Sequence, residues 1–212
     1  MSSAEIRAGE DLFRGGVLKR GFGPSPDDWF GEGLGHFSLA GDRLHLDARE
    51  GGYTAFYRKE LPADVLVRYV CRVFPPEMQN NINLISHCRG RAVGQWPIVE
   101  GGRYKGYQEL PNYLVTFVGD FNEETGARDS HGRTRLRRNP GFQLIAEKFE
   151  VPSEINRDYP VTFAVQAGRV RYYLDGRKVF DWQDPKPLPG GCFALRTYKS
   201  VLEFRDFLIL GL

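Results

Sequence analysis

The sequence predicts an all-β protein: two antiparallel sheets packed as a sandwich. Three observations carry this. Roughly a dozen short runs alternate apolar and polar residues with the period of a strand. No helix-period pattern extends beyond about two turns. The 25 glycines and 13 prolines among 212 residues, with 13% aromatic residues, supply many turns and bulky strand residues. Strand following strand with no helix between them builds sheet on sheet. All-β units reach this length as one domain, so residues 1–212 are taken as a single domain.

The elements follow in order. Residues up to about Pro26 mix charge with glycine and proline and are expected to hold an edge strand and a loop. The stretch from Trp29 to Pro62 predicts two short strands, Arg43 to Asp47 and, after a Gly-Gly turn, Tyr53 to Arg58. Asp64 to Phe74 predicts a long strand with Val65, Val67, Tyr69, Cys71 and Val73 on one face, ended by Pro75 and Pro76. Asn81 to Cys88 predicts another, with Ile82, Leu84, Ser86 and Cys88 on one face and Asn81, Asn83, Ile85 and His87 on the other. Arg89 to Gly106 is a glycine-rich connection, and loops of this length are usually functional or mobile. Tyr159 to Leu212 reads as a meander. It turns at Ala167-Gly168 and Asp175-Gly176, passes a proline-rich loop, and closes with a strand near Leu202 to Leu210.

Between these parts lies the stretch Tyr104 to Phe149, where the chemistry gathers. It carries tyrosines, Gln108, Glu109 and Asn112, then an apolar strand, then five arginines between Arg128 and Arg138. Alternation puts Arg133, Arg135 and Arg137 on one face, and Thr134, Leu136 and Arg138 on the other with Leu136 toward the core. Such a row suits a planar anion, because the guanidinium fork matches a carboxylate or sulfate bidentately. The competing reading is a solvated strand face paired with Glu123, Glu124 and Asp129.

The carboxyl-terminal meander contains Tyr173, Leu174, Asp175, Gly176, Val179 and Trp182, then Gly191, Leu195 and Arg196, then Phe204, Arg205, Asp206, Phe207 and Ile209. This order resembles the concanavalin A-like jelly rolls. From Trp29 to Phe207 the chain is similar to the galectin-like YesU family, through Tyr104, Tyr107, the arginine segment and the run Asn139, Pro140, Gly141, Phe142 and Leu144. The resemblance implies a concanavalin A-like jelly-roll sandwich. It also implies a setting of pectin and other uronic-acid polysaccharide breakdown, with no catalytic set carried over.

The chain has 29 basic and 27 acidic residues, a net charge of +2, which argues against a nucleic-acid or membrane-surface partner. Any anion preference is therefore local, and the expected partner is an acidic oligo- or polysaccharide. The ExDxE strand of jelly-roll retaining glycosidases is missing, which disfavours that chemistry. A polysaccharide lyase needs cations or amides on the uronate carboxylate plus a tyrosine or histidine as base and acid. The arginine row with Asn83, Gln108 and Asn112 fits the first requirement; His87, His131, Tyr104 and Tyr107 (with Tyr113) fit the second. Trp96, in the long loop, is placed to stack on a sugar. The alternatives are a non-catalytic lectin-like glycan-binding protein, or a scaffold using its arginines on a partner's acids.

His36, His45, His87 and His131 show no metal-ligand spacing, and the loose calcium-loop pattern of Asp120 to Gly126 is incomplete, so no metal or other cofactor is expected. Cys71, Cys88 and Cys192 lack paired spacing and are expected to be free and buried. No run reaches transmembrane length. The first residues show no apolar export segment, so the expected location is cytoplasmic, unless a signal was trimmed.

Overall fold

The structure, a computed structural model, describes residues 25–75, 81–90, 96–119, 132–150 and 153–211. In chain order the strands are β1 (Trp29–Gly33), β2 (His36–Ala40), β3 (Arg43–Asp47), β4 (Gly52–Tyr57), β5 (Val65–Phe74), β6 (Ile82–Cys88) and β7 (Asn112–Val118). After them come β8 (Gly132–Asn139), β9 (Gln143–Glu150), β10 (Asp158–Gln166), β11 (Arg169–Leu174), β12 (Arg177–Gln183), β13 (Cys192–Tyr198) and β14 (Val201–Gly211). Every strand pairing is antiparallel. Sheet A runs β1-β4-β13-β6-β7-β8-β9 and sheet B runs β12-β11-β10-β5-β14-β3-β2. The predicted sandwich is therefore the fold.

Alternation decides which side of each strand is buried. In β5, Val65, Val67, Tyr69, Cys71 and Val73 all enter the main core, as their spacing requires. Sheet A meets them with Tyr113, Val115 and Phe117 of β7, Leu136 of β8, and Phe193 and Leu195 of β13. All three cysteines are free and buried, as expected. Asp175 and Gly176 take φ values of 52° and 75°, the left-handed pair that a two-residue hairpin demands, and so join β11 to β12.

Two expectations need correction. The stretch from Trp29 to Pro62 holds four strands rather than two, because β1 and β2 also form. In β6 the alternation breaks near its end, where the pairing with β13 shifts between Cys192 and Ala194 and His87 adopts φ 58°. This bulge turns His87 away from the face that carries Asn83. The expected amino-terminal edge strand and the Asp120 to Gly126 loop lie outside the described residues.

Sheet A also buries part of its outer face. Phe56, Ile85, Leu114, Ala194, Cys88 and Cys192 form a second apolar cluster there, covered by Tyr107 and Leu110 from the connection between β6 and β7. That connection contains a 3-10 turn, Glu100–Gly102, and a single helical turn, α1 (Tyr104–Tyr107). Its backbone lies directly on β1: a Cβ at Gly102 would stand 2.7 Å from the Gly33 Cα and 2.8 Å from the Glu32 carbonyl oxygen, so only glycine fits. The described part of the connection, residues 96–111, thus roofs this apolar patch of the sheet.

Candidate functional site

The unroofed part of sheet A's outer face is crossed by one polar row. Strand register aligns Glu32 with Thr54, Thr54 with Arg196, Arg196 with Asn83, Asn83 with Thr116, Thr116 with Arg135, and Arg135 with Glu147. One residue from each of the seven strands of the sheet therefore stands on a single rung. The neighbouring rung is apolar over most of its length: Phe30, Phe56, Ala194, Ile85, Leu114, then Arg137 and Leu144. The roof covers the apolar rung and stops at the polar one. This edge makes a cleft of about 750 Å³.

Arg196 is the centre of the cleft. It lines the cavity yet is only 3% exposed. Its guanidinium donates to the Thr54 hydroxyl at 3.1 Å and lies 5.5 Å from the Tyr104 ring centroid and 5.6 Å from that of Tyr107. Among the described residues no carboxylate is within ion-pair distance of it. Burial pulls its pKa below the usual guanidinium value, against the opposing influence of Tyr107, Tyr104 and Glu32. A buried guanidinium with five N–H donors and so few protein acceptors is suited to an anion brought from outside.

Glu32 fixes the roof above it. Its carboxylate accepts from the Val99 N–H at 3.1 Å and from the Tyr107 hydroxyl. Burial raises the Glu32 pKa, while those two hydrogen bonds and the Arg196 charge hold it down in part. Tyr107 is thereby locked against the flank of Arg196, with its own pKa pushed up by burial and by Glu32.

The arginine row on β8 lies where alternation placed it. Thr134 and Leu136 are buried on the core side, and Arg138 turns inward to the Asp184 carboxylate at 2.8 Å. Arg135 and Arg137 line the cleft; Arg133 does not, and instead stands 5.5 Å over the Phe149 ring. Arg135 is ion-paired with Glu147 at 2.5 Å, a partner on the next strand. The expected partners Glu123, Glu124 and Asp129 lie outside the described residues. Arg137 stacks over Phe142, 4.2 Å from its centroid, and burial lowers its pKa with help from the charge of Arg135. The Asn139-Pro140-Gly141-Phe142 turn sets that ring: Asn139 accepts from the Phe142 N–H at 2.9 Å and donates to Asn112 at 2.9 Å. Phe142 in turn meets Tyr104 edge-on at 5.9 Å.

The other predicted residues divide. Tyr104 and Asn83 line the cleft. Asn83 is already engaged, accepting from Thr116 at 2.8 Å and donating to Asn81 and to the Arg196 carbonyl. His87 is buried on the core side, edge-on to Tyr113 at 5.2 Å, with ring contacts to Ser86 and the Ala63 carbonyl at 2.9 Å each. Tyr113 donates to Asp184 from within the core. Asn112 is buried and braces the roof through the carbonyls of Tyr107 and Leu110. Gln108 accepts from Gly141 with its backbone and does not line the cleft. Trp96 is 36% exposed and packs edge-on against Phe30 at 5.3 Å, also off the cleft. His131 lies outside the described residues.

Around the cavity stand five cations, Arg103, Lys105, Arg135, Arg137 and Arg196, against one carboxylate, Glu50. A nearly neutral chain thus gathers positive charge in one place. Tyr104, Phe142 and Tyr198 add aromatic surface. Among the described residues no group of three His, Cys, Asp or Glu side chains is placed to hold a metal ion. With five cations around a single carboxylate, Glu50, the cleft does not suit calcium, which requires several oxygen ligands.

Comparison with known proteins places the fold. A family model for a domain of unknown function, DUF6250, matches residues 47–207. No curated protein sequence matches the chain. A Bacillus subtilis protein of unknown function with a galectin-like fold is 19% identical at a TM-score of 0.67, over 87% of this chain and 89% of that one. The carbohydrate binding module CBM66 from Bacillus subtilis is 14% identical at a TM-score of 0.58, over 87% and 96%. The VIP36 exoplasmic/lumenal domain, in its Ca2+/Man3GlcNAc-bound form, is 15% identical at a TM-score of 0.69, over 92% and 90%. These likenesses establish a galectin-like, concanavalin A-like sandwich.

Proposed function

The chain belongs to the DUF6250 family, and on that premise we propose that it binds an acidic oligosaccharide, with a carboxylate of the sugar seated on Arg196. One observation carries the reading: a guanidinium buried in the floor of a cleft, flanked by two tyrosine rings and without an ion-paired carboxylate among the described residues. A carboxylate would take bidentate hydrogen bonds there, in a place shielded from water, where charge-assisted bonds are strong. Tyr198 and Tyr104 offer rings on which a pyranose can lie. The fold supports the reading, since its neighbours include a carbohydrate binding module and a domain carrying Man3GlcNAc.

Binding rather than turnover is the function the geometry favours. Uronate β-elimination needs a base and an acid at the sugar's C5 and leaving oxygen. His87 faces the core and the Tyr107 hydroxyl is committed to Glu32, which leaves Tyr104 among the described candidates.

The test is calorimetric titration of tetragalacturonate into wild type and into Arg196→Met, which keeps the stem and removes the charge. Loss of one charged hydrogen-bonded contact, about 1.5–3 kcal/mol, predicts a drop of at least tenfold. Unchanged affinity in a folded variant would end the proposal. Unsaturated uronate products appearing with wild type, and vanishing in Tyr104→Phe, would convert the reading to a lyase.

A further inference from the structure

The polar rung has a near-mirror order: Glu32, Thr54, Arg196, Asn83, Thr116, Arg135, Glu147. Each half runs from an outer glutamate to an arginine, and a hydrogen-bonded Asn83–Thr116 pair joins the halves. The two glutamates are used differently. Glu32 is held by Tyr107 and Val99, one strand removed from Arg196. Glu147 sits on the adjacent strand and grips Arg135 directly.

We infer that the cleft contains two carboxylate seats, Arg196 and Arg135, and that Glu147 is an intramolecular stand-in which a ligand carboxylate displaces from the second. The inference rests on the acidic-oligosaccharide reading and extends it to a ligand class: an oligouronide carrying acids far enough apart to reach both seats. Three strand spacings separate the two arginines, about 14 Å between their Cα positions. The ligand therefore runs across the strands, over Asn83 and Thr116, and must span several sugar units.

The displacement is chemically even. One carboxylate replaces another on a guanidinium, so Arg135 loses no charged partner and is never left bare. Glu147 can leave, because its side chain is 26% exposed on the edge strand β9 and water receives it. Its pKa is lowered, first by its hydrogen bond from Arg135 and then by the charges of Arg135, Arg133 and Arg137. The same three cations would greet an incoming carboxylate. Arg196 provides the anchor, and Arg135 makes binding depend on length.

The experiment titrates tetragalacturonate and monogalacturonate into wild type, Glu147→Gln and Arg196→Met, by calorimetry for the tetramer and by NMR for the monomer. Removing the competitor should tighten tetramer binding about fivefold, the equilibrium equivalent of the upper end of surface ion-pair strengths, as suits a part-buried pair. Monomer binding should stay within twofold, because Arg196 alone holds it. If Glu147→Gln leaves the tetramer unchanged while Arg196→Met abolishes binding, the two-seat inference falls and the single-seat reading stands. Equal tightening of monomer and tetramer would mean a general charge effect and would also overturn it. A tetramer that does not bind wild type overturns both.

Discussion

Gly52→Ala should damage binding while sparing the fold. Gly52 lies opposite Tyr198 on sheet A, and a Cβ there would meet the Arg196 Nη2 at 2.3 Å and both Cζ and Nη1 at 3.0 Å. Ordinary contact lies near 3.5 Å, so the guanidinium must retreat by roughly 1 Å. The displaced group is the far end of a flexible side chain, and Gly52 is not among the glycines with positive φ. The backbone therefore accepts alanine, and replacing glycine within a strand stabilises by about 0.5–1 kcal/mol. The retreat breaks the 3.1 Å hydrogen bond to Thr54 and spoils the bidentate geometry. Losing about 1.5–3 kcal/mol from a charged contact corresponds to a ten- to hundredfold weaker complex. Calorimetry with tetragalacturonate should show that fall, while a thermal melt records only the balance of the alanine gain against the lost Thr54 hydrogen bond. A folded variant that binds as wild type does would refute the assigned role of Arg196.

Other outcomes follow from the same contacts. Asn139→Ala removes the part-buried acceptor of the Phe142 N–H and the buried donor to Asn112, so chemical denaturation should show a loss of about 1–3 kcal/mol. His87→Leu should lower stability through its lost contacts to Ser86 and Ala63, yet leave glycan affinity within twofold, since the ring faces the core; a large affinity loss without destabilisation would contradict this placement. Asp181 has its pKa lowered from 3.8 to about 2, chiefly by hydrogen bonds from Arg169 and further by Lys178. A depressed folded pKa means stability that is present above pH 4 and lost as pH falls toward 2; Asp181→Asn should flatten the stability profile in that window.

Much of the sandwich was legible because alternation is a local signal. β5 and β8 bury the faces their spacing assigned, and the Asp175-Gly176 turn needed only its two residues to announce itself. β1 and β2 escaped because glycines at 31, 33 and 35 dilute their patterns and their burial is partial. His87 was misplaced because a bulge inverts the alternation at the end of β6, and no residue type there marks it. The β8 arginines were visible as a row, but Arg196 was not recognised as their counterpart. It entered only as part of the carboxyl-terminal pattern that resembles the jelly rolls, with no binding role. Its role depends on register among strands far apart in sequence, such as the Thr54 to Arg196 hydrogen bond across 142 positions. Glu32 and Glu147 were missed for the same reason, since pairing partners are a property of the folded sheet.

The most direct measurement compares tetragalacturonate with its fully methyl-esterified form on the wild-type protein. Esterification removes the charge and leaves the sugar rings in place. If Arg196 seats a carboxylate, the acid should bind at least tenfold more tightly than the ester, and Arg196→Met should erase the difference. Equal affinity for acid and ester would contradict the account and leave the cleft's cations without an anionic ligand.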